Sequence, residues 1–292
     1  MDIKKRKIKK LTALQVAEYA VEAMLEEVVT EHKPGLVTPS DNRCHPDMNV
    51  STFIKSAVTM QPYFVQCFEA GSKFNGDDLT QLFQKIRPYG MQAEKHMFEV
   101  TQGVNTHKGC VFILGIVTAA LGYCSRMQSA ILEDLQQIIK KMMDGIVQRD
   151  LAHISTEKLT AGEKQFQKYG LTGIRGEAQA GFSLVFETSL SVYEDSNLKQ
   201  NDRKLLALMS LVAKNDDSNL IKRADYDFEL VHEVQNSAQR IVDFYQEKNK
   251  IDRKSLDMLI HLCLEHHLSL GGSADLLGLT IFLGKITKRL SN

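Results

Sequence analysis

A compact polar segment precedes the most apolar stretch of the chain. Asn105, Thr106, His107 and Lys108 lie between two glycines, and residues 109–124 that follow contain no charged side chain. Amide, hydroxyl, imidazole and ammonium groups can hold anions and transfer protons. The pattern predicts a polar site at the start of a buried helix, where a rigid core positions it.

Four further segments combine glycine, asparagine or acidic residues with a predicted helix end. Each alone is typical of a turn with a helix cap. Together they supply cations, carboxylates and helix N-termini, which suit phosphates, and paired carboxylates, which suit a magnesium ion. The sequence therefore predicts a polyphosphate site with Mg²⁺. The candidates, with Lys55 as a further cation, are Lys33, Asn42, His45, Asp47, Arg175, Glu177, Asp216, Asp217, Asn219, Arg223, Gly271, Gly272, Ser273 and Asp275.

Familiar nucleotide and metal motifs are absent from the sequence. It contains no GxxxxGK[ST] loop, and no GxGxxG follows a strand. A nucleotide must therefore be bound in another way. His261, His266 and His267 do not have the spacing of zinc ligands, so they are interpreted as a solvated helix end.

Charge and cysteine usage restrict the class of partner and the compartment. Thirty-six basic and 36 acidic residues give a net charge of zero, which argues against a nucleic-acid or membrane-surface partner. The 16 uncharged residues 109–124 would form a helix of about 24 Å, shorter than a bilayer core of about 30 Å. Five scattered cysteines without a CxxC pair predict a reduced, cytoplasmic protein, with Cys44 in a polar loop as the one expected to be reactive.

Helical periodicity dominates the sequence and predicts an all-α fold, a single multi-helix globular domain with polar loops between helices. This domain spans residues 11–292, and the basic residues 1–10 are expected to be a frayed lead-in. Pro62 and Pro88 are expected to kink or split the helices that contain them. Helices are predicted at residues 11–29, 51–70, 79–100, 108–125, 132–147, 177–193, 202–213, 228–247, 251–265 and 274–290.

Six motifs occur in an order that resembles the triphosphoribosyl-dephospho-CoA synthase family, over residues 14–282. They are Lys33-Pro-Gly-Leu-Val37, His45-Pro-Asp-Met48 ahead of Thr52-Phe53, Gly103-Val-Asn-Thr-His-Lys-Gly109, Gly173-Ile-Arg-Gly-Glu177, Asp217-Ser-Asn219 with Arg223, and Gly271-Gly-Ser-Ala-Asp-Leu-Leu277. The chain departs from the family pattern at Arg43-Cys44, Ala224-Asp225 and Leu270, which leaves the geometry of these loops open.

The resemblance implies that ATP donates its triphosphoribosyl unit to the ribose 2′-hydroxyl of 3′-dephospho-CoA and that adenine leaves. This is a glycosyl transfer at C1 of the ATP ribose, not a phosphoryl transfer. The family product is the prosthetic-group precursor of citrate lyase or, in a close branch, of malonate decarboxylase. A carrier-protein transferase or acyl carrier subunit is therefore an implied downstream partner, and the choice between the two pathways stays open.

Departure of adenine leaves positive charge on the ribose, so such a site needs a carboxylate near the ring, a base, an acid and cations for the triphosphate. We predict Lys33, Lys108 and Arg175 on phosphates, and His107 or Asp47 in proton transfer. The candidate carboxylates for Mg²⁺ or the developing positive charge are Glu177, Asp216 and Asp217.

Two other functions stay open at this stage. The chain could be a non-catalytic helical module that binds a nucleotide or a carrier protein, or an ATP-dependent phosphotransferase that yields ADP. Several candidates also have purely structural interpretations. Gly271, Gly272 and Ser273 could end one helix and cap the next, and His45 could be a loop histidine.

Overall fold

The computed structural model describes residues 3–151, 159, 161–195 and 197–287. Within these ranges the chain is helical and contains no β-strand, only two isolated bridges, which confirms the predicted all-α single domain. None of the described helices is long and apolar enough to cross a bilayer. The helices are α1 (Ala13–Val28), α2 (Val50–Thr59), α3 (Gln61–Ser72), α4 (Thr80–Val100), α5 (Lys108–Cys124), α6 (Leu132–Met143), α7 (Ile146–Leu151), α8 (Ala161–Tyr169), α9 (Gly173–Gln179), α10 (Leu190–Tyr193), α11 (Gln200–Val212), α12 (Ser218–Arg223), α13 (Phe228–Lys248), α14 (Arg253–Glu265) and α15 (Gly271–Ile286).

Helices α5 and α15 form the centre of the core, and most of their residues are buried. Helix α3 crosses α5 at unusually short range because glycine replaces a side chain on each helix. A Cβ atom on Gly71 would lie 1.9 Å from the carbonyl oxygen of Ala119, and one on Gly122 would lie 2.0 Å from that of Phe68. Close packing of this kind holds the C-terminal half of α5 rigidly against α3.

The two prolines have different effects on their helices. Pro62 lies in the first turn of α3 and separates it from α2, so the predicted helix at residues 51–70 is two helices. A proline fits a first turn because its missing N–H has no partner there. Pro88 lies inside α4, which continues from Thr80 to Val100.

The predicted helix at residues 177–193 is interrupted. Gly181 and Phe182 have φ angles of 71° and 54°, in the left-handed region that ends a helix. The chain then resumes as a π-helical turn, Val185–Ser189, before α10. Helices α8 and α12 were not predicted, and α15 begins at Gly271, three residues before the predicted start.

Part of the basic lead-in is ordered. The N–H of Ile8 donates to the Ala130 carbonyl at 2.9 Å, and that of Lys9 donates to the Ile286 carbonyl at 2.8 Å. These residues are therefore paired and not frayed as expected. Residues 1 and 2, and residues 288–290 of the predicted last helix, lie outside the described residues.

The five cysteines are free and buried. Cys44 was expected to be reactive, but its thiol contacts the Cys263 carbonyl at 3.5 Å. Burial raises the pKa of the Cys44 thiol, with Asp41 adding to the effect. Because the thiolate is the nucleophilic form, this cysteine is not activated.

Candidate active site

A cavity of about 290 Å³ lies where α5, α12 and α15 begin, against α1, α2 and the loop between them. Its position follows from the fold, because the first turns of two core helices meet there. Most of the predicted candidates line it, and so do Glu27 and Phe53, which were not predicted. The lining candidates are Lys33, His45, Asn105, Thr106, His107, Lys108, Asp216, Asp217, Asn219, Gly271, Gly272 and Asp275.

The polar segment before α5 is folded onto the first turn of the helix. The Asn105 side-chain oxygen accepts the Lys108 N–H at 3.2 Å, which satisfies one of the free amides at the helix start. Lys108 itself extends outward, with 51% of its side chain exposed, and pairs with Glu94 at 3.2 Å. An ammonium group at the cavity rim thus remains accessible to an anion.

His107 is held as a neutral imidazole. It is only 2% exposed, its Nδ1 lies 2.8 Å from the Ser56 hydroxyl, and its ring meets Phe53 edge-on with centroids 5.0 Å apart. Burial lowers its pKa to about 3, and the positive charge of Lys33 contributes. At neutral pH His107 can therefore offer a hydrogen bond but not an imidazolium proton.

Lys33 forms a buried ion pair with Glu27. The two residues are 4% and 6% exposed, and the ammonium donates to the Glu27 carboxylate at 2.5 Å and to its main-chain oxygen at 2.7 Å. Burial lowers the pKa of Lys33, while Glu27 opposes that effect. The positive charge predicted for phosphates is thus already balanced by a carboxylate that the sequence did not reveal.

Asp217 connects the starts of two helices. One carboxylate oxygen accepts the N–H groups of Asn219, Leu220 and Gly272 at 2.9, 3.3 and 3.1 Å, and the other accepts the N–H and hydroxyl of Ser273 at 2.7 and 3.0 Å. Five donors occupy the lone pairs of both oxygens. This bonding favours a structural role, a cap shared by α12 and α15, over the predicted role in metal binding or catalysis.

Asp275 is the fifth residue of α15 and lines the cavity. One of its oxygens accepts the Cys110 thiol at 3.1 Å. The other lies so close to Gly109 that a Cβ atom there would be 1.8 Å away. Burial, opposed by the hydrogen bond from the Cys110 thiol and helped by the charges of Glu27 and Asp217, raises the pKa of Asp275 to about 7.

Several predicted residues lie outside the lining. The Asn42 amide donates to the Met48 carbonyl at 2.9 Å and braces the loop, while Asp47 and Lys55 are exposed. Ser273 is buried behind the cavity wall, bonded to Asp217.

The charged residues of the motif on α9 also lie outside the lining. Arg175 pairs with Asp150 at 3.3 Å, and Glu177 accepts a main-chain N–H at 3.3 Å. Only Ile174 of this motif lines the cavity. Arg223 donates to the His267 carbonyl at 3.4 Å, so the cavity has fewer cations than the sequence predicted.

The three carboxylates predicted for magnesium have different surroundings, although Asp216 is close enough to Glu177 to contribute to the rise in the pKa of Glu177 that burial causes. Glu177 lies outside the cavity lining, the oxygens of Asp217 are occupied, and Asp216 alone is exposed in the cavity. Across the described residues, no group of three or more His, Cys, Asp or Glu side chains could hold a metal ion.

Three polar atoms of the lining have no hydrogen-bond partner among the described residues. They are Nδ1 of His45, the hydroxyl of Thr106 and Nε2 of His107, all buried. The other nitrogen of His45 contacts the Gly35 carbonyl at 3.2 Å. Buried polar atoms are nearly always paired, so these three mark the surface that a polar ligand would contact.

Fold and cavity together define a helical protein that uses helix N-termini and acidic side chains, not a Walker loop, to form a polar ligand site. The comparison of sequences identifies its family. The chain belongs to the family described as ATP:dephospho-CoA triphosphoribosyl transferase, which it matches over residues 13–292.

Named relatives agree with this family. The chain is 42% identical over 279 residues to a "Probable 2-(5''-triphosphoribosyl)-3'-dephosphocoenzyme-A synthase" of Lactiplantibacillus plantarum, covering 94% of this chain and 98% of the relative. It is 38% identical over 274 residues to a Vibrio cholerae protein with the same name, covering 91% and 86%. It is also 38% identical over 287 residues to "Protein CitXG" of Leuconostoc mesenteroides, covering 97% of this chain but 61% of that longer protein. No solved structure matches the chain.

Proposed function

We propose that this protein transfers the triphosphoribosyl group of ATP to the ribose 2′-hydroxyl of 3′-dephospho-CoA and releases adenine. Family membership over residues 13–292 supports the reaction class. The observation that carries the proposal is the convergence of separate motifs on one cavity with three unpaired buried polar atoms. A cavity of this kind fits a ligand with many hydrogen-bonding groups, such as a nucleotide.

The proposed reaction makes specific demands on the cavity. The bond between C1 of the ATP ribose and adenine breaks, and the ring carries positive charge until the acceptor hydroxyl bonds to C1. Nearby carboxylates stabilise such a charge, and Asp275 and Glu27 line the cavity. The first-turn amides of α5 and the accessible ammonium of Lys108 are suited to phosphate oxygens.

Mg²⁺ is proposed to enter with the ATP triphosphate, not as a resident ion. Asp216 is the exposed carboxylate of the lining that remains available to the metal. Free cysteines support a reducing, cytoplasmic location. A carrier-protein transferase or acyl carrier subunit of citrate lyase or malonate decarboxylase is proposed to use the product.

The test is to incubate the purified protein with ATP, Mg²⁺ and 3′-dephospho-CoA, and to measure adenine and the mass of the product. We expect adenine and a coupled product in equal amounts. An acceptor that lacks the 2′-hydroxyl is the matched control and should give no coupled product. ADP in place of adenine would identify a phosphotransferase. Binding of ATP without turnover would identify a non-catalytic module.

A further inference from the structure

The carboxylates of the cavity differ in how far they are available for proton transfer. Asp217 has five hydrogen bonds to helix starts, and Glu27 is paired with Lys33 at 2.5 Å. Asp216 is exposed to solvent, so it is not sheltered within the cavity. Asp275 remains as the sheltered carboxylate that faces the cavity.

The surroundings of Asp275 fix its position. Helix α15 carries it on a buried, rigid element, and the Cys110 thiol holds one oxygen at 3.1 Å. The other oxygen occupies the space that a side chain at position 109 would take, since a Cβ there would lie 1.8 Å away. Gly109 therefore permits the carboxylate to reach the start of α5.

A second, independent feature indicates a ligand at the same place. Nε2 of His107 lies in the lining of this cavity, is buried, and has no partner among the described residues. The Ser56 hydroxyl can donate to Nδ1, which leaves the proton on Nε2. A ligand hydroxyl could then accept a hydrogen bond from His107 while it donates one to a carboxylate.

We infer that Asp275 is the general base that accepts the proton of the attacking ribose 2′-hydroxyl, and that His107 positions this hydroxyl through Nε2. The inference rests on the proposed function. The hydroxyl oxygen bonds to C1 of the ATP ribose as the bond from C1 to adenine breaks. Adenine leaves with that electron pair and takes a proton from water, and the hydroxide that remains takes the proton back from Asp275, which restores the carboxylate.

The first test is Asp275→Asn, which keeps the shape of the side chain and removes its basicity. Loss of a general base lowers turnover by about 100-fold to 10,000-fold, so adenine release should fall by at least about 100-fold. Binding of ATP should stay within about threefold of wild type. Asp257→Asn, an exposed residue on α14 outside the lining, is the matched control.

The pH profile separates a chemical role from a structural one. Because burial raises the pKa of Asp275 to about 7, wild-type kcat/KM should fall as pH drops below about 7. The facing groups are the Cys110 thiol, which lowers this pKa, the Glu27 and Asp217 carboxylates, which raise it, and Lys33, which is paired with Glu27. Cys110→Ala removes the hydrogen bond that stabilises the Asp275 carboxylate, so the fall in kcat/KM should move to higher pH.

The outcomes distinguish failure of the base assignment from failure of the proposed function. A wild-type protein that releases no adenine refutes the proposed function. Normal wild-type turnover, with Asp275→Asn within threefold of it, refutes the base assignment alone. If Asp275→Asn does not fold, the pH profile of kcat/KM for Cys110→Ala tests the inference instead. A profile that does not move from that of the wild type overturns the inference. Restored turnover of Asp275→Ala by added formate would support it.

Discussion

Asp275→Asn is expected to stabilise the fold above neutral pH even though it removes activity. Burial raises the pKa of this carboxyl from 3.8 to about 7, so the charged form is disfavoured in the folded protein. One pKa unit corresponds to 1.36 kcal/mol, which gives about 4 kcal/mol for the full difference. The side chain keeps partial access to solvent, so we expect a measured gain of about 2 to 4 kcal/mol at pH 8.

The sign follows from proton binding. Between pH 3.8 and about 7 the folded protein keeps the proton on Asp275 while the unfolded chain loses it. The free energy of unfolding of the wild type therefore falls as pH rises through this window. Asparagine does not titrate, so the advantage of the variant should be small near pH 4 and should grow by about 2 to 3 kcal/mol from pH 5 to pH 8.

Urea unfolding followed by far-ultraviolet circular dichroism is a suitable assay, because the chain is helical and contains no tryptophan. Wild type, Asp275→Asn and the control Asp257→Asn would be compared at pH 5, 6.5 and 8. The reasoning is refuted if Asp275→Asn is no more stable than wild type at pH 8, or if its advantage is the same at every pH. An equal gain in the free energy of unfolding for Asp257→Asn would show that loss of any acidic charge is sufficient to stabilise the protein.

Three further substitutions test the supports of the cavity. Gly109→Ala places a Cβ 1.8 Å from an Asp275 oxygen, so the carboxylate must shift and adenine release should fall at least about tenfold; near-normal turnover would contradict the close fit. Asp217→Ala leaves buried amide donors unpaired and should lower the free energy of unfolding by about 2 to 4 kcal/mol in urea titrations, whereas an unchanged value would argue against the shared cap. Lys33→Met leaves Glu27 unpaired and should lower the free energy of unfolding by about 3 to 5 kcal/mol. Addition of Glu27→Gln to this variant should recover at least about 1 kcal/mol. Strictly additive losses from the two substitutions would contradict the buried pair.

Helical periodicity was sufficient to predict the long amphipathic and buried helices. It did not predict where they divide, because a break depends on backbone geometry that single residues decide. Pro62 starts a helix since its missing N–H falls in a first turn, while Pro88 is tolerated inside α4. Phe182 adopts a left-handed angle of 54° that its residue type does not suggest.

The candidate site was predictable where a motif contacts the cavity through its own helix start. Asn105, His107 and Asp275 lie near the first residues of α5 and α15, and the fold brings them to the lining of one cavity. The motif on α9 does not contact the cavity in this way. Its helix places Ile174 in the lining, while its charged residues form bonds elsewhere. Glu27 could not be found from sequence, since it resembles any acidic residue on an amphipathic helix until the fold buries it.

The charges of the cavity favour a reacting centre that becomes positive. Glu27, Asp217 and Asp275 interact strongly enough to raise the pKa of Asp275, whereas the accessible ammonium of Lys108 lies at the rim with its side chain 51% exposed. A triphosphate buried among these carboxylates would be repelled, but a ribose with positive charge at C1 would be stabilised. The arrangement therefore favours the sugar near Asp275 and the phosphates near the ammonium of Lys108 at the cavity rim. A phosphotransferase would need unpaired cations at the buried end, whereas Lys33 there is paired with Glu27, and this is the physical reason to favour glycosyl transfer.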